Sequence, residues 1–284
     1  MHLSLQLRAI AALPVRSWSD TVKFIILCYP RTGSTLLITA LGAHPEINQG
    51  MELFIPEQEG NDPWVHWRRA TFEALYGNHN SYLNADGNLD GNRFDLSLLA
   101  IEFFKVFNGT KVMYDQLDRR SNVWDYLRSL DDLRVIVLKR NLVEAAVSFR
   151  IAMDTNVWFV PNENSYIWYS GTALTPPSPA LTYPLWYFDW FYNHYCSSEQ
   201  YFVNLFPGNA TMVVDYHDMV SHWGRIIPSV QKHIGVDPVE IPMMFDKRTH
   251  GKIGELISNY GEIRSHYATH PILASHFKEA SESS

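Results

Sequence analysis

The segment of this chain best suited to chemistry is Pro30-Arg31-Thr32-Gly33-Ser34-Thr35, which joins an apolar run to an apolar helix pattern. Arg31 brings a fixed positive charge, Gly33 permits a tight turn, and Thr32, Ser34 and Thr35 bring hydroxyls. Ser34 and Thr35 suit the start of a helix ahead of Leu36, Leu37 and Leu41. Such a turn aims free backbone N–H groups, the positive helix end and a guanidinium at one point, which suits a phosphate or sulfate. The nucleoside-triphosphate loop GxxxxGK[ST] needs a Lys between its last Gly and its hydroxyl residue. Here Ser34 follows Gly33 directly, so that ammonium is missing and the turn is left to cradle a single phosphoryl group. A strand–helix turn with no ligand is the plain alternative.

A second unit of the same kind lies downstream. Residues 133–138 (LRVIVL) read as another buried strand, followed by Lys139, Arg140 and Asn141 and then a helical pattern through Val143, Val147 and Ile151. Arg140 falls at the carboxyl end of its strand, where open α/β sheets bind ligands. Ser148 falls about two turns into the following helix by the 3.6-residue period. An Arg and a hydroxyl from this unit can grip a second phosphate.

Positioning these groups requires an alternation of strands and helices. The chain reads as strand 22–28, helix 34–42, a polar insertion, strand 111–116, helix 121–130, strand 133–139 and helix 142–154. An irregular Pro- and aromatic-rich stretch follows, then an aromatic helix 185–205, strand 211–216, helix 219–234 and a helix near 259–268. Alternating βα units with apolar strands predict a single P-loop-like α/β domain, a central parallel sheet with helices on both faces. The domain is expected over 21–271, with an N-terminal extension at 1–20 and a flexible tail at 272–284 rich in Ser and Glu.

YPRTGSTLL at 29–37 resembles the 5′-phosphosulfate loop of sulfotransferases that use 3′-phosphoadenosine 5′-phosphosulfate (PAPS). LKRNLVEAAVSFRIA at 138–152 resembles their 3′-phosphate element. HPEI, Glu-Leu-Phe at 52–54, KVMYDQL and the spacing of Ala152, Thr155 and Trp158 are similar to bacterial carbohydrate sulfotransferases of the Nod-factor and trehalose type. The resemblance implies PAPS as donor and 3′-phosphoadenosine 5′-phosphate (PAP) as product, with no metal. Arg31, Thr32, Gly33, Ser34, Thr35, Arg140 and Ser148 are then the nucleotide-binding residues, with Lys247 and Arg248 closing over the 3′-phosphate. Arg31 stands where other family loops carry Lys, and it is expected at the bridging oxygen. Many members have Gly where Asn156 stands, so the backbone there is expected to differ.

Sulfuryl transfer to a hydroxyl needs a base for the hydroxyl proton. In the bacterial enzymes resembled here that base is a Glu shortly after the first helix, the place of Glu52. Glu46, Glu57, Glu59 and His217 are the competing groups. Lys111 closes a Gly-Thr-Lys turn into the next strand, Tyr114 and Gln116 stand beyond it at strand ends, and with Trp158 they are candidates to meet the acceptor. Trp168 and Tyr169 are further loop candidates, whereas Trp186, Trp190 and Phe191 fit a single core-facing helix stripe.

Composition narrows the partners. A net charge of -7 argues against a general nucleic-acid binder, so a polyanionic ligand must be held by a local basic cluster. The two cysteines, Cys28 and Cys196, form no disulfide framework and no zinc pattern. Asp86, Asn88, Asp90 and Gly91 open like a calcium loop, but Ser97 stands where the bidentate Glu belongs. No run approaches the ~20 apolar residues of a membrane helix, and a cytoplasmic enzyme acting on a small-molecule or glycan acceptor is expected. Homo-oligomerisation stays open. A P-loop kinase, or a non-catalytic nucleotide-binding protein on the same fold, are the alternative functions.

Overall fold

The computed structural model describes residues 22–54, 70–71, 73–75, 95–116, 121–155, 157–158, 180–207, 210–245 and 252–282. Strand β1 (Phe24–Cys28) is buried at every position, as a central strand must be. Its side chains alternate between two cores. Ile25 and Leu27 enter one, while Phe24, Ile26 and Cys28 enter the other. The remaining strands are β2 (Gln49–Glu52), β3 (Gly109–Met113), β4 (Arg134–Lys139) and β5 (Ala210–Asp215). They form one sheet in the order β2-β3-β1-β4-β5, with every pairing parallel.

The helices are α1 (Ser34–Gly42), α2 (Leu96–Val106), α3 (Asn122–Arg128), α4 (Leu142–Thr155), α5 (Tyr187–Phe191) and α6 (Glu199–Val203). They continue with α7 (Tyr216–Ser221), α8 (Trp223–His233), α9 (Ile253–Leu256), α10 (Tyr260–His266) and α11 (Leu273–Glu282). Side chains of α2, α3, α4 and the aromatic segment fill the core on one face of the sheet. Those of α1, α7 and α8 fill the core on the other. The expected α/β sheet with helices on both faces is therefore present. Because β2 and β3 lie on one side of β1 while β4 and β5 lie on the other, the strand order reverses at the carboxyl end of β1. Open α/β sheets bind ligands in the crevice such a reversal creates.

Four expectations need correction. The tail expected to be flexible is helix α11 over 273–282, because Leu273, Phe277 and Ala280 bury one face against the first core. Asn141 ties it down by donating to the His276 carbonyl at 2.9 Å. The polar insertion contains edge strand β2 and helix α2, whose apolar residues Leu96, Leu99, Ala100, Phe103 and Phe104 are buried. The aromatic helix expected over 185–205 is broken into α5, a π turn at Tyr192–Cys196 and α6. In it Phe191 is buried, but Trp186 and Trp190 stay 60% and 38% exposed and do not share the core stripe. The N-terminal extension, the calcium-like loop at 86–91, Asn156, Trp168 and Tyr169 lie outside the described residues.

Candidate active site

The phosphate-type turn follows β1. Gly33 caps α1 with φ 88°, a left-handed conformation that glycine adopts readily, and no side chain caps the helix. Leu37 N–H makes the first helical bond, to the Gly33 carbonyl at 3.0 Å, so the amides of Ser34 to Leu36 have no partner within the helix. A Cβ on Gly33 would lie 2.6 Å from the Tyr216 ring, so only glycine lets α7 approach the turn this closely. Arg31 also has a positive φ, 68°, a conformation that disfavours side-chain-bearing residues. Thr32 is fully buried, and its hydroxyl donates to the Tyr29 carbonyl at 3.1 Å, so its side chain shapes the turn and does not face the crevice.

The two strand–helix junctions meet. Arg140, just past β4, donates from Nη1 to the Arg31 carbonyl at 2.9 Å. Its Nε and Nη2 reach Glu144 Oε2, each at 3.3 Å, and its guanidinium stacks 4.2 Å from the Tyr216 ring centre. Arg31 Nε donates to Ser148 Oγ at 3.2 Å, and its Nη1 donates to the Trp158 carbonyl. The Tyr29 hydroxyl donates to the Arg140 carbonyl and accepts from the Arg140 N–H at 3.1 Å, which pins the end of β1 to the end of β4. Asn141 caps α4 by accepting from the N–H groups of Val143 and Glu144, and this sets the helix that carries Ser148. Arg31, Arg140, Ser148 and the first amides of α1 thus surround one small region.

A second cluster adjoins it on the β3 side. Lys111 lies within β3, not in a turn before it, and is 3% exposed. Its ammonium is 2.5 Å from Glu52 Oε1 and donates to Thr35 Oγ1 at 2.8 Å. Gln116 accepts from the Met113 N–H through Oε1 and donates from Nε2 to Glu52 Oε2 at 2.8 Å. Both carboxylate oxygens of Glu52 are therefore held, and through Lys111 the carboxylate is connected to the start of α1. Cys28 packs in the same region, and burial pushes its thiol up to about 11.

Other candidates stand apart. Tyr114 is 3% exposed and stacks on Phe202 with ring centres 5.8 Å apart, so it serves the core and not an acceptor. Gln116 is committed to Glu52 and the backbone. His217 is exposed at the start of α7, where its N–H donates to Asp215 at 2.7 Å, and Glu46 is exposed in the turn before β2. Lys139 pairs with Glu199 at 2.7 Å. Trp158 flanks Arg31, its ring centre 5.8 Å from the guanidinium carbon. Glu57, Glu59, Lys247 and Arg248 lie outside the described residues.

Three participants escaped the sequence reading. Tyr216 and Glu144 bracket Arg140. The i,i+4 spacing of Arg140 and Glu144 was the available signal for that pair. Asp115 stands between Tyr114 and Gln116, and burial pushes its carboxyl up to about 6. Among the described residues no group of three or more His, Cys, Asp or Glu could hold a metal ion, and no helix is long and apolar enough to cross a membrane.

The family model described as the sulfotransferase family matches residues 24–240. No curated protein matches the chain. Among solved structures, a sulfotransferase from Alicyclobacillus acidocaldarius is 12% identical with a TM-score of 0.44, over 92% of this chain and 96% of that one. The sulfotransferase domain of the Synechococcus PCC 7002 olefin synthase is 14% identical with a TM-score of 0.42, over 92% and 93%. Mouse sulfotransferase SULT7A1, solved with PAP, is 10% identical with a TM-score of 0.43, over 96% and 92%.

Proposed function

The chain belongs to the sulfotransferase family, and on that premise we propose that it moves a sulfuryl group from PAPS to an acceptor hydroxyl of a carbohydrate or glycolipid, with Glu52 as base. The observation that carries the reading is the contact of Arg140 with the Arg31 carbonyl at 2.9 Å, beside the bond from Arg31 to Ser148. It brings an uncapped helix start, two guanidiniums and a hydroxyl within the span of one doubly phosphorylated nucleoside. The donor set fits such a group, since bidentate guanidiniums and backbone amides are what phosphate and sulfate oxygens take.

The amides of Ser34 to Leu36 and Arg31 would hold the 5′-phosphosulfate. Arg140 and Ser148 would hold the 3′-phosphate, exchanging contacts they make to Glu144 and Arg31. Lys247 and Arg248 remain the proposed closing pair. PAPS, when bound, supplies a sulfuryl group whose S–O bond breaks with the electron pair staying on the phosphate oxygen. Glu52 takes the proton of the attacking hydroxyl, and Gln116 and Lys111 fix the carboxylate for that role. Lys111 also distinguishes this site from a magnesium-dependent phosphate loop. Its ammonium sits on the hydroxyl of Thr35, the position at which such a loop binds magnesium. A fixed cation at that point supports metal-independent transfer.

Calorimetry with PAP in EDTA is expected to show saturable binding that Arg140→Ala weakens at least tenfold. Transfer of label from ³⁵S-PAPS to a glycan or glycolipid acceptor is expected from the native chain and lost in Glu52→Gln. Equal PAP affinity in Arg140→Ala would refute the assignment of the nucleotide site.

A further inference from the structure

Arg140 is fixed by neighbours that leave one edge of its guanidinium to a different partner. Tyr29 pins its backbone, since the phenol accepts from the Arg140 N–H at 3.1 Å and donates to the Arg140 carbonyl. Nη1 donates to the Arg31 carbonyl at 2.9 Å, and the guanidinium carbon lies 4.2 Å from the Tyr216 ring centre. The side chain is 8% exposed, so a bond at one end and a ring against its face leave it little room to turn. None of these contacts uses the edge formed by Nε and Nη2.

That edge faces Glu144, and the contact is a loose one for opposite charges. The same carboxylate oxygen, Oε2, lies 3.3 Å from both Nε and Nη2. Charge-assisted bonds between Arg and an oxyanion run about 2.7–2.9 Å, and the strong arrangement gives each nitrogen its own oxygen. Glu144 is an i,i+4 partner with a side chain 21% exposed, and partly solvated pairs of this spacing hold weakly. It also stands in the first turn of α4, where the helix end favours a carboxylate whether or not it touches Arg140. A phosphate can bring two oxygens to the same two nitrogens, so it makes the better partner for that edge.

Resting on the reading of Arg140 as the 3′-phosphate ligand, we propose that Glu144 is a built-in competitor, a counter-ion that covers the phosphate-binding edge of Arg140 until the nucleotide displaces it. Glu144 thereby limits how tightly PAP is held and hastens its departure after transfer, while Tyr216 and the Arg31 carbonyl keep the guanidinium aimed.

The test uses the full chain with PAP as the probe. Calorimetry should show PAP bound about fivefold more tightly by Glu144→Gln than by the native protein, the gain expected from releasing a partly exposed ion pair. Stopped-flow displacement should show PAP leaving the variant more slowly by a similar factor. Glu144→Ala should reproduce both results. In an Arg140→Ala background, Glu144→Gln should change PAP affinity less than about twofold, because no guanidinium remains to be competed for. A merely structural role for Glu144 predicts no gain in affinity. PAP affinity unchanged or weakened in Glu144→Gln overturns the proposal, because the carboxylate would then be orienting Arg140 for the phosphate. A gain of equal size in the Arg140→Ala background overturns it as well, since simple repulsion of the nucleotide would account for it. Failure of the native chain to bind PAP at all would instead remove the reading on which the proposal rests.

Discussion

Replacing Lys111 by Met tests the connection between the proposed base and the phosphate turn. The Lys111 and Glu52 side chains are 4% and 13% exposed and 2.5 Å apart. At an effective dielectric constant of about 20 their gross attraction is about 7 kcal/mol, much of which the desolvation of both ions offsets. Net worth and the cost of breakage differ, however. Met fills much of the volume but leaves the Glu52 carboxylate buried with Gln116 alone, and breaking such a pair costs about 3–5 kcal/mol. Urea unfolding monitored by tryptophan fluorescence should register that loss in Lys111→Met. Glu52→Gln should also destabilise, because it strands the ammonium beside Thr35. The double variant Lys111→Met/Glu52→Gln buries no ion at this point and should recover most of the loss, giving a coupling of about 2 kcal/mol or more across the cycle. A Lys111→Met cost below about 1 kcal/mol, or additive single effects, would mean that the pair behaves as a solvated surface contact. The claim that Lys111 fixes the base would then fail.

Two further outcomes follow from the same geometry. Gly33→Ala places a methyl 2.6 Å from the Tyr216 ring at φ 88°, so it should destabilise the fold by about 1–3 kcal/mol and weaken PAP at least tenfold. Melting and calorimetry check this, and an unaffected variant would show that the turn does not depend on its left-handed residue. Asp115→Asn should stabilise the protein above neutrality. Its carboxyl rises from 3.8 to about 6 on folding, so the native state holds the proton more tightly than the unfolded chain does. Below pH ~3 both states are protonated and burial costs nothing; above pH ~6 the native state carries a desolvated carboxylate, at a cost approaching about 3 kcal/mol. The variant's advantage in unfolding free energy should therefore be greatest near pH ~8 and vanish below pH ~3, and an advantage independent of pH would refute it.

What the sequence disclosed, and what it withheld, has a physical pattern. β1, β4 and their following helices were legible because a central parallel strand is apolar on both faces and its partner helix starts at a recognisable break. Gln49–Glu52 was not legible, since a four-residue polar segment becomes a strand only by pairing with β3 at the edge. Helix α11 was hidden by Ser and Glu on its outer face, although Leu273, Phe277 and Ala280 keep helical spacing inward. Arg31, Arg140 and Ser148 could be named as candidates because each lies in a local strand–helix junction, and the structure brings the two junctions together. The interactions of Lys111 were not, because a Gly-Thr-Lys stretch looks like a turn and its partners come from β2 and α1. Asp115 was overlooked for the same reason. Its character depends on Glu52 and His194, which the fold brings near it from other elements.

Arg31 shows how one short turn would serve both ends of the proposed nucleotide. Its left-handed backbone lets the carbonyl accept from Arg140 while the guanidinium extends to Ser148 and the Trp158 carbonyl. A lysine would bring all its donors from one nitrogen, whereas the forked, planar guanidinium of arginine reaches Ser148 and the Trp158 carbonyl from separate nitrogens. The conformational strain at Arg31 therefore joins the turn after β1, the end of β4 and the face of α4 into one charged unit. Within that unit, moving any member changes the partners of the others. In the proposed site, a phosphate that drew Arg140 or Ser148 away would therefore remove a contact of Arg31, so both ends of the nucleotide would act on one residue.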